Sequence, residues 1–295
     1  MGHRVAFVGL GVMGFPMAGH LAAAGHDVAV YNRTTSRADE WLSAHSGTAK
    51  ATPAEATDGA EFVFTCVGND DDVRSVTYGD SGILASIQQD AVFVDHTTDS
   101  PNLARELAQA SQDAGAHFLD APLSGGQAGA DNGELTIMVG GEQAVFDRTE
   151  PVIDCYAKSV KLMGGAGAGQ LTKMVNQICI AGVVQGLAEG FHLAEKSGLD
   201  INEVVEIIKN GAAGSWQMVN RAETMAARKF DYGFAVNWMR KDLAIALDIA
   251  REVGARLPMT ALVDQFYAEV QALGGSRWDT SSLIERLRQV DEKGS

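Results

Sequence analysis

The chain has 295 residues, of which 46% are hydrophobic and 21% charged, a mixture that is typical of folded globular proteins and excludes wholesale disorder. Its 23 basic and 38 acidic residues give a formal charge of −15, which argues against a nucleic-acid partner or an anionic membrane surface. The sequence contains no apolar stretch of about 18 residues that would predict a transmembrane helix. Three widely spaced cysteines, Cys66, Cys155 and Cys179, predict a reducing, cytoplasmic compartment.

Short apolar runs alternate with helix-length segments over the first half of the chain. The runs predict strands at 5–8, 28–31, 61–67, 91–95, 117–119 and 135–139. The segments between them predict helices at about 13–24, 35–45, 70–76, 101–114 and 142–155. This alternation predicts an α/β domain with a parallel sheet and crossover helices, covered on both faces because the apolar runs are continuous. The start of the chain runs straight into a strand and predicts no signal peptide.

The pattern changes at the glycine-rich segment 164–169, which predicts a loop. Residues 170–196 form one long helical pattern that ends near Gly198. Further helices are predicted at roughly 201–210, 216–228, 236–253, 259–273 and 280–290. Asp200 or Asn202 would cap the first of these, and Pro258 would start the fourth. The sequence therefore predicts an α/β domain at 1–163 and an all-helical domain at 164–295.

The first predicted strand ends in the motif Gly9-Leu10-Gly11-Val12-Met13-Gly14, which matches G-x-G-x-x-G. Alone, this pattern is weak evidence. Here it lies between a strand and a helix, has Pro16 in the first helical turn, and is followed by a second strand, so that a complete βαβ unit is present. The three glycines allow a tight turn, the approach of a pyrophosphate and close helix packing. The unit predicts a Rossmann-type dinucleotide site, and the alternative is a glycine-rich turn that binds nothing.

The end of the second strand bears on the choice of dinucleotide. It reads Asn32-Arg33-Thr34-Thr35-Ser36-Arg37 and lacks the acidic residue that usually holds the 2′-hydroxyl of NAD. Arg33 would attract a 2′-phosphate, with Arg37 one helical turn further on. Asn32, Arg33 and Thr34 are predicted to contact the cofactor, and NADP is favoured over NAD. The alternative is that Thr34 or Thr35 merely caps a helix and that both arginines are solvated.

Two later segments carry groups suited to a carboxylate substrate and to proton transfer. The segment Asp120-Ala121-Pro122-Leu123-Ser124-Gly125-Gly126 follows a strand, where a Ser-Gly-Gly turn directs N–H groups and a hydroxyl into the cleft. On the long helix, Lys173 and Asn176 are three residues apart and share a face. Because their neighbours are apolar, Lys173 is predicted to enter a partly dry cleft, where a lowered pKa would let it exchange protons near neutral pH. Taken singly, the two features would more often be a plain turn and a solvated helix face.

Four motifs in this order resemble the β-hydroxyacid dehydrogenase family. They are the motif 9–14, the segment 120–126, the segment from Gly167 through Lys173 to Asn176, and Lys241-Asp242-Leu243. The family includes 3-hydroxyisobutyrate dehydrogenase, tartronate semialdehyde reductase, glyoxylate/succinic semialdehyde reductase and, more distantly, 6-phosphogluconate dehydrogenase. The resemblance covers nearly the whole chain. It implies a Rossmann domain joined by a long interdomain helix to a helical domain for substrate binding and oligomerisation, in a homodimer or homotetramer.

The resemblance also implies roles for single residues. Lys173 would be the catalytic acid and base. The implied substrate contacts are Ser124, Gly125, Gly126, Asn176, Phe234 and Asp242. Besides the motif 9–14 and residues 32–34, the implied cofactor contacts are Val67, Thr98 and Lys241. Trp216 would line the same pocket or lie in the core. The chain departs from the family at the loop 66–69, which lacks a common proline, and at His96, which either faces the cofactor and titrates near pH 6–7 or, as favoured here, is a satisfied loop residue.

These features predict hydride transfer between NADP(H), or less readily NAD(H), and a short 3-hydroxy acid or its semialdehyde. NADP would favour the reductive direction. No metal is predicted, because no His, Asp and Glu set has ligand spacing. Two alternatives remain. An imine reductase could share the scaffold, although Lys173 counts against it. A non-enzymatic dinucleotide-binding module would be expected to lack the lysine and to carry a basic appended domain.

Overall fold

Nine strands form one mainly parallel sheet in the first part of the chain. The structure is a computed structural model that describes residues 2–294. It consists of two compact units, Met1–Lys173 and Met174–Ser295. The strands, all in the first unit, are β1 (Arg4–Val8), β2 (Asp27–Tyr31), β3 (Thr48–Ala49), β4 (Phe62–Thr65), β5 (Val92–Asp95), β6 (His117–Asp120), β7 (Leu123–Ser124), β8 (Leu135–Gly141) and β9 (Ala157–Gly164).

In the described part of the chain, seven α-helices lie between these strands. They are α1 (Gly14–Ala23), α2 (Thr35–Ala44), α3 (Pro53–Thr57), α4 (Asp70–Thr77), α5 (Pro101–Asp113), α6 (Gly126–Asp131) and α7 (Gln143–Ile153). The sheet order is β3-β2-β1-β4-β5-β6-β8-β7, with β9 paired to β8. The predicted α/β class and its six strands are confirmed. The short elements β3, β7, α3 and α6 were missed because strands of two residues and helices of five and six residues are too short to show a recurring apolar pattern. Strand β9 was missed because all of its residues are exposed or half-buried.

The predicted parallel sheet is confirmed for most of its strands, but β8, and β9 which pairs with it in parallel, run opposite to the others. Strand β8 runs antiparallel to β6, with Leu119 opposite Gly141, and antiparallel to β7, with Leu123 opposite Ile137. The reason is the short connection between β7 and β8, which contains only the helix α6. Neighbouring parallel strands need a long crossover connection, whereas a short connection joins antiparallel strands.

The strands are buried on both faces of the sheet. On β1, Val5 and Phe7 belong to one apolar cluster, while Ala6 and Val8 belong to a second cluster on the opposite face. All four are at most 1% exposed. This alternation explains why β1 reads as a continuous apolar run, since both of its faces are covered by helices.

The second unit is built from helices. After the long helix α8 (Ala168–Lys196) come α9 (Ile201–Ile208), α10 (Trp216–Ala226), α11 (Val236–Val253), α12 (Pro258–Ala272) and α13 (Leu283–Gly294), as well as a 3-10 turn at Thr280–Ser282. Asp200, one of the two predicted caps, accepts hydrogen bonds from the N–H groups of Asn202 and Glu203. Within residues 2–294, no helix has both the length and the apolar character needed to cross a membrane.

The boundary between the two compact units lies within α8, between Lys173 and Met174. The sequence placed the boundary earlier, at the glycine-rich segment 164–169. The helix begins within that segment, at Ala168. Its first turn makes hydrogen bonds to the sheet, so this turn belongs to the first unit.

Candidate functional site

The turn between β1 and α1 has the backbone geometry that its glycine motif predicts. Gly9 has a φ of +100°, and its N–H donates to the carbonyl of Tyr31 at 2.9 Å. A Cβ at Gly14 would clash with the carbonyl of Gly9. A Cβ at Gly11 would meet none of the described atoms within 4 Å, so the space in front of α1 is open. The turn thus fits a dinucleotide, because it leaves a pyrophosphate free to approach a helix N-terminus.

Two side chains from the region after β2 hold this turn in place. The Oδ1 of Asn32 accepts from the N–H of Leu10 at 2.9 Å, and the Nε of Arg37 donates to the carbonyl of Leu10 at 2.9 Å. The Nδ2 of Asn32 also donates to the carbonyl of Thr34. Asn32 and Arg37 therefore stabilise the glycine turn itself, a role that the sequence did not predict for either residue.

Arg33 has the freedom that a phosphate-binding side chain needs. Its side chain is 82% exposed, and its guanidinium donates to Oδ1 of Asp72 at 3.1 Å. Thr34 is the N-cap residue of α2, but in the described structure its hydroxyl makes no capping hydrogen bond. Arg33 and Thr34 thus follow the carboxyl end of β2, where the adenosine ribose of a dinucleotide is bound in Rossmann folds.

The loops that follow β4 and β5 are joined by hydrogen bonds. The N–H of Val67 donates to Oγ1 of Thr97 at 3.1 Å. Oδ1 of Asp95 accepts from the hydroxyl of Thr65 at 2.6 Å and from the N–H of Thr97 at 2.9 Å. The structure thereby brings together the loops that carry Val67 and the half-buried Thr98, two of the predicted cofactor contacts.

His96 is a buried, satisfied residue. Its Nδ1 lies 2.7 Å from the carbonyl of Ala121, and its Nε2 lies 2.9 Å from the hydroxyl of Tyr156. Because a carbonyl can only accept, Nδ1 carries the proton and Nε2 accepts from the tyrosine. Burial lowers the pKa of His96 to about 4, so the imidazole is neutral at pH 7. This agrees with the favoured interpretation, because both ring nitrogens have hydrogen-bond partners.

Two buried carboxyl groups lie beside each other after β5. Asp95 and Asp99 are both fully buried, and neither carboxyl oxygen of Asp99 has a hydrogen-bond partner among the described residues. Burial, together with the charge of Asp95, holds the pKa of Asp99 well above its usual range, and burial also raises the pKa of Asp95. Burial without a hydrogen-bond donor disfavours the charged form of a carboxyl group, so the environment of Asp99 favours its protonated form.

The Ser-Gly-Gly turn joins β7 to α6. Ser124 is half-buried and pairs with Thr136 of β8, while Gly125 and Gly126 are exposed. The φ angles of the two glycines are +135° and +61°. A side chain would be strained at both positions, so the conformation of this turn favours glycine there.

Lys173 is the last residue of the first unit and is 7% exposed. It lies in the second turn of α8, a helix whose first turn is held by residues that the sequence analysis did not single out. Gln170 is one of them, and it is fully buried. Gln170, Lys173 and Gln177 follow at intervals of three and four residues on a largely apolar helix. This polar stripe was the available signal for both glutamines.

In the second unit, three polar side chains form one hydrogen-bonded chain, which an ion pair extends to a lysine. The Nδ2 of Asn176 donates to Oε1 of Gln177 at 2.8 Å, and the Nε2 of Gln177 donates to Oδ2 of Asp242 at 2.6 Å. The Nζ of Lys241 lies 3.3 Å from Oδ1 of Asp242. The structure therefore brings together three predicted site residues, Asn176, Lys241 and Asp242, through the buried Gln177 that the sequence analysis missed.

The two predicted aromatic residues are partly or largely exposed in the second unit. Phe234 is 37% exposed, and its N–H donates to Oδ2 of Asp279 at 2.9 Å. Trp216 is 58% exposed, with the guanidinium of Arg221 5.0 Å from its ring centre. Trp216 is therefore not a core residue.

Comparisons with known proteins cover both units. Residues 4–165 match the family described as the NAD binding domain of 6-phosphogluconate dehydrogenase. Residues 167–287 match the family described as NAD-binding of NADP-dependent 3-hydroxyisobutyrate dehydrogenase. Together the two matches span most of the chain.

Individual proteins are similar over their whole length. An uncharacterized oxidoreductase of Shewanella frigidimarina is 59% identical, over 97% of this chain and 98% of that protein. The 2-hydroxy-3-oxopropionate reductase of Escherichia coli is 35% identical, over 96% of this chain and 97% of that protein. A structure of Mycobacterium tuberculosis 3-hydroxyisobutyrate dehydrogenase with L-serine has a TM-score of 0.88 and 32% identity, covering 98% of this chain and all of that one.

Proposed function

Because the chain belongs to the β-hydroxyacid dehydrogenase family, we propose that it transfers a hydride between NADP(H) and a short 3-hydroxy acid or its semialdehyde. The observation that carries the proposal is a buried lysine, Lys173, in the same unit as an open glycine turn at a helix N-terminus. The similar E. coli and M. tuberculosis proteins are named for short substrates of this kind. The nicotinamide, when bound, supplies the hydride donor or acceptor.

Lys173 acts as the general base and the general acid of the reaction. In the oxidative direction, its neutral amine takes the proton from the substrate hydroxyl. In the reductive direction, its ammonium donates a proton to the developing alkoxide and stabilises the negative charge. A buried lysine suits both tasks, because desolvation favours the neutral amine and strengthens electrostatic interactions.

The remaining predicted residues have separate proposed roles. Ser124, Gly125 and Gly126 would bind the carboxylate through a hydroxyl and backbone N–H groups. Asn176, Asp242 and Phe234 would contact the rest of the substrate, and Lys241 would contact the cofactor. The hydrogen-bonded chain through Gln177 supports this assignment, because it fixes the polar ends of Asn176 and Asp242.

The preference for NADP rests on Arg33 and Thr34. An exposed guanidinium at the carboxyl end of β2 can pair with a 2′-phosphate, and the neighbouring hydroxyl can donate to it. The absence of an acidic residue from 32–37 removes the usual partner of the NAD 2′-hydroxyl. Since NADPH pools favour reduction, the reductive direction is proposed for the cell.

Exposed apolar side chains on the second unit support self-association. Leu193, Ile207 and Val253 are 68%, 83% and 70% exposed. Such side chains are unfavourable in water and become buried when copies associate. A homodimer or homotetramer is proposed, and size-exclusion chromatography with light scattering distinguishes these assemblies from a monomer.

The function is tested by steady-state turnover with NADP and NAD. The substrate panel contains 3-hydroxyisobutyrate, glycerate, L-serine, and the glyoxylate, succinic and tartronate aldehydes. We expect turnover with NADP, and a loss of about 100-fold or more in Lys173→Ala. Lys209→Ala is the matched control, because Lys209 pairs with Glu206 on the surface of α9 and should leave turnover unchanged.

Two results would contradict the proposal. Turnover that survives Lys173→Ala would remove the lysine from the mechanism. If no substrate of the panel is turned over and a cyclic imine is reduced, an imine reductase would be favoured instead.

A further inference from the structure

The first turn of α8 is fastened to the sheet by two buried side chains. Oδ1 of Asp120 accepts from the N–H of Gly167 at 2.7 Å, and Oδ2 accepts from the N–H of Gln170 at 2.9 Å. The Nε2 of Gln170 donates to the carbonyl of Thr97 at 2.7 Å, and its Oε1 accepts from the N–H of Asp99 at 3.2 Å. Asp120 and Gln170 are both fully buried, and all of these residues belong to the first unit.

We call these hydrogen bonds of Asp120 and Gln170 the anchor of α8, and two glycines leave space for it. A Cβ at Gly169 would lie 2.8 Å from Oδ2 of Asp120 and would clash with the carbonyl of Met138. A Cβ at Gly140 of β8 would clash with Oδ1 of Asp120. The helix therefore approaches the sheet as closely as backbone atoms allow, and the carboxylate lies directly at its N-terminus. A charge in this place also stabilises the helix through its dipole.

The anchor is close to Lys173 along a rigid element. Lys173 follows Gln170 by three residues, so the two side chains lie on neighbouring positions of one helix face. Asp120 is the last residue of β6, four residues before Ser124. Asp120 thus connects the start of α8 to the strand that precedes the Ser-Gly-Gly turn.

We propose that Asp120 and Gln170 are positioning residues for Lys173, holding the first turn of α8 so that the amine keeps one place relative to the Ser-Gly-Gly turn. The catalytic part of this inference rests on the proposed function. Without the anchor the first turn of α8 would fray, because its N–H groups would lose their acceptors. Lys173 would then spend less time in the reactive arrangement, and small displacements of a catalytic group cost large factors in rate.

The test uses two variants and one control in the full-length protein. Asp120→Asn keeps the shape of the side chain but replaces one acceptor oxygen by a donor. Gln170→Met keeps the length and burial but removes both hydrogen bonds, and it serves if Asp120→Asn does not fold. Thr52→Ala is the matched control: Thr52 caps α3 in the same unit by accepting from the N–H of Glu55, and it has no part in the proposed site.

Turnover measures the catalytic consequence. We expect kcat to fall about tenfold to a hundredfold in both variants, with KM changed by less than about twofold, and Thr52→Ala to match the wild type. Each anchor substitution added to Lys173→Ala should lower kcat no further, because the lysine through which it acts is already missing. An unchanged kcat, or losses that add to that of Lys173→Ala, would overturn the proposal.

Two measurements report on the anchor whatever the substrate. Hydrogen exchange of the amides at 167–173 should become faster in both variants but not in Thr52→Ala. Labelling of Lys173 by an amine-reactive reagent, followed by mass spectrometry, should also become faster, since the side chain is buried in the wild type. If neither rate changes, the anchor does not hold the helix. If both change while the wild type turns over nothing on the panel, the proposed function has failed and the catalytic part of this inference is overturned with it.

Discussion

The side-chain amide of Gln177 donates a 2.6 Å hydrogen bond to Oδ2 of Asp242, and both residues are buried in the helical unit. The two are 65 positions apart in the chain, on α8 and α11. Because Gln177 also accepts from Asn176, its amide group is held by a bond on each side. Its orientation, and with it that of Asn176 and Asp242, is therefore set by a single buried group.

Replacing Gln177 by Leu should destabilise the protein by about 2 kcal/mol, because the buried Asp242 carboxylate loses a hydrogen-bond donor. Urea unfolding followed by circular dichroism measures this change. The double variant Gln177→Leu/Asp242→Leu is the control, and it should recover part of the loss, since it removes the buried charge together with its donor. A double variant less stable than Gln177→Leu alone would contradict this account.

Stability should fall as the pH drops from about 6.5 towards about 4. Over this range the unfolded chain binds a proton at the ordinary pKa of 6.5, whereas the buried His96 has its pKa lowered to about 4 and stays neutral. A depressed pKa in the folded state thus contributes stability above pH 6.5 and loses it on acidification, by up to about 3 kcal/mol. His96→Asn should flatten this part of the curve of unfolding free energy against pH.

Tyr156→Phe is the control for the His96 prediction. It removes the hydrogen bond to Nε2 but leaves the imidazole buried, so the slope between pH 6.5 and 4 should persist. An equally steep slope in His96→Asn would assign the acid sensitivity to other groups.

Asp99→Asn should stabilise the protein at neutral and alkaline pH. The pKa of Asp99 is raised by burial and by the charge of Asp95, so the folded state retains a proton that the unfolded chain releases. A raised pKa of an acid gives full stability below its ordinary pKa of 3.8 and loses it as the pH rises. An asparagine is neutral in both the folded and the unfolded chain, so it avoids this loss. Thermal unfolding at pH 7–9 should show a gain of about 1 kcal/mol or more, and an unchanged or lower stability would contradict the raised pKa of Asp99.

Arg33→Ala should raise KM for NADP by about tenfold or more and leave KM for NAD nearly unchanged, because only NADP offers a phosphate to the guanidinium. Initial rates with both cofactors measure the ratio. Arg37→Ala is an informative comparison: Arg37 holds the carbonyl of Leu10 in the glycine turn, so both cofactors should be affected. Equal losses for the two cofactors in Arg33→Ala would remove Arg33 from the choice between them.

The sequence by itself determined the elements whose signals are local. The strands that form the centre of the sheet were predicted because their apolar runs are continuous, and the turn at 9–14 was predicted because glycines lie between a strand and a helix. Helix bounds in the second unit followed from apolar periodicity, from the cap residue Asp200 and from Pro258, which begins α12. The family was also recognised at this level, because its motifs are short and occur in a specific order.

Only the tertiary structure decided features that join distant parts of the chain. The antiparallel direction of β8 depends on how β7 folds back, and the anchor of α8 joins Asp120 to Gly167 and Gln170 across about 50 positions. The bonds from His96 to Tyr156 and from Gln177 to Asp242 span 60 and 65 positions. The periodicity of a sequence does not predict such pairs, because it does not show whether a polar side chain will bond to water or to another residue. Folding alone decides that partner, since burial requires each polar group to find one.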